Sequence, residues 1–315
     1  MRPLRIGTRG SPLARWQAEA VAAAIARAGG PSTELVLIRT SGDRLARRPI
    51  SSAGGKRLFV KEIEEALVEE RVDLAVHSAK DLPAERLPGL RVRAVLPRED
   101  PRDAVVARRS FAGAGAEPDV LFAPDRAPRV GTGSVRRTAQ LRHAWPHLDI
   151  APIRGNVGTR LDKLETEGFD LLVLAAAGLV RLNLAARIVA RLPLDVCVPA
   201  PGQGIVCAEY RHGDEEMHGL LARIANRDAS AALEAERALV TALGADCQVP
   251  LGGVSTVVDG DRLLLQSVVA LPDGARLVRH ESSGSMAAPA ALGAAVAAGL
   301  LDAGAGPLLD AARSR

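Results

Sequence analysis

Aromatic residues are scarce, 2% of the 315-residue chain, and only four lysines occur: Lys56, Lys61, Lys80 and Lys163. Binding single-stranded nucleic acid needs aromatic faces for stacking and a continuous basic track. The chain has neither, so nucleic acid is not an expected partner. Cysteine is also rare. Cys197, Cys207 and Cys247 match no zinc-ligand spacing, and an odd count leaves at least one thiol unpaired. No metal site is expected, and a reducing compartment is favoured, by default the cytosol. Long apolar runs are missing too. The run Leu171 to Val180 is half the ~20 residues a membrane helix needs, and the Ala-rich stretch after Met286 contains Pro289 and several Gly. The opening Met-Arg-Pro-Leu-Arg-Ile-Gly lacks the apolar stretch of a secretory signal.

What remains is the composition of a globular protein with two or three domains, 47% hydrophobic and 25% charged. Lys and Arg total 41 against 37 acidic residues, a net charge of +4, and nearly all the cations are arginine. Guanidinium forks grip carboxylates and phosphates in bidentate fashion, so their placement along the chain matters more than the net charge.

Strand and helix patterns alternate through the first two-thirds. Leu4 to Thr8 reads as a strand, and Ser11-Pro12 offers an N-cap with proline at the first helical position. Further strands are expected at 34–39, 72–77, 90–96, 129–132, 149–153, 169–175 and 205–210. Helices should lie at about 60–70, from Ser134 and from Val157, and the run Ser41–Gly55 reads as a loop. Beyond Asp214 a helix at about 231–243 precedes three strand runs. Asp259-Gly260 and Pro272-Asp273-Gly274 punctuate these as hairpin turns, and an Ala-rich helix closes the chain. Two α/β units followed by a small α+β domain are therefore expected. Their boundaries fall at 1–97 with 198–213, at 98–197, and at 214–315.

Ligands of open parallel sheets sit beyond the carboxyl ends of the strands, where helix N-termini present free N–H groups. The polar residues after each strand form a pattern. They are Thr8, Arg9 and Ser11; then His77, Ser78, Lys80 and Asp81; then Thr132, Ser134, Arg136 and Arg137; then Arg154, Asn156 and Arg160; and finally Arg181. A lone Arg after a strand is usually a solvated surface residue, but a set that converges would hold a ligand with several carboxylates or phosphates. Asp81 is the single carboxylate expected in that layer. Gly131-Thr-Gly-Ser lacks both nucleotide-loop spacings, which disfavours a nucleotide. His77 reads as a core histidine, and Cys197 and Cys207 as small core residues. Cys247, in the Gly/Pro-rich loop Asp246-Cys-Gln-Val-Pro-Leu-Gly-Gly, is either a reactive thiol or a bystander.

Eight segments, in order, resemble the porphobilinogen deaminase (hydroxymethylbilane synthase) family. They are Arg5-Ile-Gly-Thr-Arg-Gly-Ser-Pro-Leu-Ala, Gly54-Gly-Lys-Arg-Leu-Phe-Val-Lys-Glu, Val76-His-Ser-Ala-Lys-Asp-Leu-Pro, Arg98-Glu-Asp-Pro-Arg-Asp-Ala, Gly131-Thr-Gly-Ser-Val-Arg-Arg, Arg154-Gly-Asn-Val-Gly-Thr-Arg-Leu, Pro199-Ala-Pro-Gly-Gln-Gly and Cys247-Gln-Val-Pro-Leu-Gly. The resemblance implies two α/β domains like those of type II periplasmic binding proteins around a cleft, plus a third domain with a three-stranded antiparallel sheet. It also implies an enzyme that joins four porphobilinogen molecules head to tail into hydroxymethylbilane, releasing four ammonia. A dipyrromethane cofactor held by a thioether would serve as primer, and the matching cysteine is Cys247. Asp81 matches the catalytic carboxylate. Ser78, Lys80, Thr132, Ser134, Arg136 and Arg137 match cofactor-binding positions, and Arg9, Ser11, Arg154, Arg160 and Arg181 match substrate positions. A monomer that passes its product to uroporphyrinogen-III synthase is implied as well. Gly133 departs from the family, standing where many members carry Ser. The rival expectation is a non-catalytic two-domain binding protein for a small polycarboxylate, since fold alone does not settle function.

Overall fold

The computed structural model describes residues 2–44, 60–85, 87–111, 117–245 and 249–314. The chain divides into two compact units, one of residues 1–99 and 204–233, the other of 100–203 and 234–315.

In the first unit, β1 (Leu4–Arg9), β2 (Thr33–Ile38) and β3 (Leu74–Ser78) run parallel in the order β2-β1-β3. Helix α1 (Pro12–Arg27) connects β1 to β2. Ser11 caps it by accepting the Ala14 N–H, Pro12 occupies the first turn, and Ala18, Val21 and Ile25 form its buried stripe. After β2, the short α2 (Ser41–Arg44) occupies the start of the expected loop, whose residues 45–55 lie outside the described residues. Helix α3 (Lys61–Val68) leads into β3. Two more strands complete the sheet. β10 (Val206–Arg211) inserts antiparallel between β3 and β4 (Leu90–Ala94), giving the order β2-β1-β3-β10-β4. Ile6, Leu74, Val76 and Ala208 face α1 and α8 (Glu215–Ile224), while Ala75 faces Ile63 and Leu67 of α3. The alternation of strand side chains thus builds a core on each face of the sheet.

The second unit repeats the plan. β6 (Arg129–Gly131), β7 (Asp149–Ala151) and β8 (Leu171–Ala175) are parallel in the order β7-β6-β8. β5 (Asp103–Ala107) inserts antiparallel between β8 and β9 (Ile188–Arg191). The short α4 (Pro118–Leu121) follows β5. Helices α5 (Val135–Ala144), α6 (Val157–Thr166) and α7 (Ala176–Arg181) follow the three parallel strands in turn. β8, Leu-Leu-Val-Leu-Ala, is apolar on both faces and buried, as a central strand must be.

Helix α9 (Arg227–Ala242) precedes a purely antiparallel sheet of β11 (Leu251–Val257), β12 (Arg262–Ala270) and β13 (Leu277–Ser285). The two expected hairpin turns lie between these strands. The Ala-rich tail is two helices, not one: α10 (Pro289–Asp302) and α11 (Gly306–Arg313), separated at Gly304 with φ of 92°. Leu292, Val296 and Leu300 of α10 are buried, and among the described residues no single helix is long and apolar enough to cross a membrane.

Both five-stranded sheets are mixed, each with three parallel strands and an antiparallel strand inserted next to them. β5, β9 and α8 were not anticipated; β5 and β9 are only five and four residues long. α10 lies close against α9, so a Cβ at Gly293 would fall 2.2 Å from the Ala235 carbonyl oxygen. In an open helix Gly→Ala gains about 1 kcal/mol. Here the backbone clash reverses the sign, and Gly293→Ala is expected to lower stability by about 1–3 kcal/mol, read as a reduced Tm.

Candidate active site

In the first unit the ends of β1 and β3 lie side by side, because Ile6 pairs with Leu74 and Gly7 with Ala75. That register brings Thr8, Arg9 and Ser11 next to Ser78, Lys80 and Asp81. Thr8 is buried and donates its hydroxyl to the Ala14 carbonyl at 3.1 Å, which ties β1 to the first turn of α1. Beyond Ser78 the chain makes a 3-10 turn, Ala79–Asp81. The Ala79 N–H donates to the Ile205 carbonyl at 3.0 Å, so the residue just before β10 anchors this turn. Lys80 and Asp81 are exposed on it, as groups that meet a ligand from solvent would be. His77 points to the other face of the sheet. It is buried, with Nε2 3.2 Å from Oε2 of buried Glu209, in agreement with a core histidine.

In the second unit the ends of β6 and β7 are neighbours, and the Thr132 N–H donates to the Ala151 carbonyl at 3.1 Å. Ser134 and Asn156 cap α5 and α6 through their side-chain oxygens, accepting the N–H groups of Arg137 at 3.4 Å and Thr159 at 2.9 Å. Two helix N-termini, each at the positive end of its dipole, are thereby set at one sheet edge. Arg154 and Arg160 flank the second; Arg160 Nε donates to the Gly155 carbonyl at 2.8 Å. Arg181, the last residue of α7, is buried. A Cβ at Gly133 would lie 2.8 Å from the Ile153 carbonyl oxygen, so the family's serine could not be accommodated at this position without a backbone shift.

Arg136 and Arg137 are not at the surface. They are 4% and 5% exposed, and both guanidinium groups close on one carboxylate, Asp103, which has no exposure. Arg136 Nη1 donates to Asp103 Oδ2 at 2.8 Å and to the Val198 carbonyl at 2.6 Å. Arg137 Nε donates to Asp103 Oδ1 at 2.9 Å, and Nη1 to the Val173 carbonyl at 3.0 Å. Gln203 Nε2 donates to Asp103 Oδ1 at 2.8 Å, and the Cys197 thiol to Oδ2 at 3.3 Å. Burial would raise the Asp103 pKa, but Arg136 and Arg137 overcome it and hold the carboxyl far below the usual range. The same burial, with Asp103 beside it, pushes the Cys197 thiol up to about 12, so it stays protonated and inert. Cys207 is buried as well, as expected.

Asp103 is a second carboxylate at the strand ends, where only Asp81 was expected. The expectation looked after strands, but β5 is antiparallel, so its first residue lies opposite Ala175, the last residue of β8. The signal was present in Arg98-Glu-Asp-Pro-Arg-Asp-Ala. Two guanidinium groups sharing one carboxylate leave one net positive charge in a buried cluster, and Arg136 Nε has no hydrogen-bond partner among the described residues. Unbalanced buried charge is costly, and an incoming carboxylate relieves it. Cys247 lies outside the described residues, and no group of three or more His, Cys, Asp or Glu side chains among the described ones could hold a metal.

Residues 4–219 match the family model described as porphobilinogen deaminase, dipyromethane cofactor binding domain, and residues 230–302 match its C-terminal domain. The chain belongs to the porphobilinogen deaminase family. It is 46% identical over 312 residues to the porphobilinogen deaminase of Acidithiobacillus ferrooxidans, covering 99% of this chain and 98% of that one. The enzyme of Thiobacillus denitrificans is 44% identical over 313 residues, 99% of each chain. The activity is accordingly that of hydroxymethylbilane synthase in tetrapyrrole biosynthesis, with a dipyrromethane cofactor domain, and the reading as a non-catalytic binding protein is set aside. Among solved structures, the Bordetella pertussis BvgS VFT2 domain superimposes with a TM-score of 0.41 at 16% identity, covering 73% of this chain and 91% of that one. A Streptococcus pneumoniae amino acid ABC transporter substrate-binding protein gives 0.40 at 13%, covering 75% and 93%.

Asp103 gains its charge-dependent stability in the folded state, where its pKa lies below the unfolded value of 3.8. The unfolded chain therefore binds the extra proton between the two pKa values, and stability rises with pH in that window. Asp103→Asn is expected to cost about 3–5 kcal/mol at pH 7, the loss for breaking one partner out of a buried pair. The gap to wild type should stay constant down to pH ~4 and narrow below it. Tm measured for both proteins from pH 7 to pH 3 checks this.

Proposed function

We propose that the two sets of strand-end residues divide the work of the family's reaction, with Asp81 handling the proton and the arginines holding carboxylates. The observation that carries this reading is the buried surplus of positive charge around Asp103. It suits a ligand whose every ring bears an acetate and a propionate, and so it suits dipyrromethane. Ser78, Lys80, Thr132, Ser134, Arg136 and Arg137 would hold that cofactor. When bound, it supplies the pyrrole α-carbon to which the first substrate ring is joined. Arg136 and Arg137, engaged with Asp103, act on it through their unbalanced charge, which is felt strongly where water is excluded. The Ser134 hydroxyl accepts from the backbone, which leaves its own proton to donate. Cys247 would hold the cofactor by a thioether, so the primer cannot leave with product; Cys197 and Cys207 are buried and do not compete for it.

Arg9, Ser11, Arg154, Arg160 and Arg181 would bind the side chains of porphobilinogen or of the terminal ring. Asp81, exposed on the anchored turn after β3, would deliver a proton from its carboxyl to the departing amine. As a carboxylate it would then face the positive charge that develops on the pyrrole. The protein acts as a monomer and passes its product to uroporphyrinogen-III synthase in the same compartment.

Intact mass of the purified protein is expected to exceed the sequence mass by two pyrrole rings, and Cys247→Ser should lack the addition. Asp81→Asn should keep it, while ammonia release from porphobilinogen falls about 10²–10⁴-fold. An unmodified wild-type mass would remove the cysteine assignment, and undiminished ammonia release would move the proton transfer to another group.

A further inference from the structure

We infer that Gln17 is a positioning residue that makes the Ser78 hydroxyl a hydrogen-bond donor to a ligand carboxylate. The inference rests on the reading of Ser78 as a cofactor-binding residue.

Gln17 lies on the buried face of α1, 2% exposed, beside the apolar cluster that includes Ala18, Val21, Leu74 and Val76. Leucine, of similar size, would suit such surroundings without a polar group to satisfy. The amide instead closes on the last residue of β3. Gln17 Nε2 donates to Ser78 Oγ at 2.8 Å, while Ser78 Oγ lies 3.3 Å from Gln17 Oε1. A serine hydroxyl has one proton and two acceptor lone pairs. The short contact occupies a lone pair. The long one is all that holds the proton, at a distance beyond the normal range for O–H···O bonds. A carboxylate reaching Ser78 at ordinary distance takes that proton without disturbing the amide contact, and a charge-assisted bond of this kind is roughly twice as strong as a neutral one.

The polarity can be reversed by one atom. In Gln17→Glu the side chain only accepts, so it would draw the Ser78 proton inward and turn the lone pairs toward the ligand. Gln17→Leu would leave the hydroxyl without direction.

The test loads apoprotein with graded porphobilinogen and reads by intact mass the concentration giving half-maximal adduct, with Tm recorded for every variant. Ser78→Ala and Gln17→Leu are each expected to raise that concentration about tenfold, the loss of one hydrogen bond to a charged group. Gln17→Glu should raise it further. The double variant Gln17→Leu/Ser78→Ala should be no worse than Ser78→Ala alone, because Gln17 acts only through Ser78. A structural role would not produce that non-additivity. Loading of Gln17→Leu at the wild-type concentration, or additive losses in the double variant, would overturn the inference and leave the parent reading intact. Wild-type apoprotein that gains no adduct would overturn both.

Discussion

The buried arginines at the strand ends of the second unit are organised by one carboxylate. Asp103 takes a different arginine on each oxygen, and through those arginines it joins the start of β5, the first turn of α5, the middle of β8 and the crossing segment at Val198. Gln140 holds the crossing segment, its Oε1 accepting the Val198 N–H at 2.8 Å, and Gln203 Nε2 donates to the Pro101 carbonyl at 2.7 Å, just before β5. An ion pair this deep is weak evidence for stability, because desolvation offsets most of its Coulomb energy. Its value lies in geometry. Breaking it strands a charge in the core, so the arginines have one arrangement, and they hold it before any ligand arrives.

Two aspartates at strand ends thus have opposite fates. Asp103 is enclosed and committed to two partners, whereas Asp81 is exposed on a turn whose backbone is fixed by Ile205. A carboxylate open to solvent is reachable by a ligand, and one enclosed with its arginines stays dry. The fold supplies both environments by placing one residue at the start of an antiparallel strand and the other after a parallel one.

Much of this was legible in the amino-acid sequence, for local reasons. Ser11-Pro12, Ser134 and Asn156 announce helix starts through capping chemistry that depends on a few neighbours. The parallel strands announce themselves by continuous apolar runs, and the polar residues after them mark the sheet edge. What escaped depends on distant pairing. β5 and β10 are short runs whose direction is set by partners far along the chain, so Asp103 could not be placed at the edge by looking only downstream of strands. Gln17 escaped for another reason: on an amphipathic helix a single amide reads as a boundary residue, and only its contact with Ser78 gives it a meaning. Cys247 stood out by its loop composition, but its role came from family resemblance alone.

The late arrival of β10 has a consequence for biogenesis. β4 touches the first sheet only through β10, and Val206 pairs with Ser78, more than a hundred residues earlier in synthesis. Until the ribosome has made that segment, β3 has an open edge and β4 has no sheet to join. The nascent N-terminal half is therefore an unfinished three-stranded sheet, with unpaired strand edge and uncovered apolar surface of the kind that chaperones hold. Translation pauses or truncations between β4 and β10 should strand the polypeptide in that aggregation-prone form, whereas the second unit's β5 is made before the strands it joins.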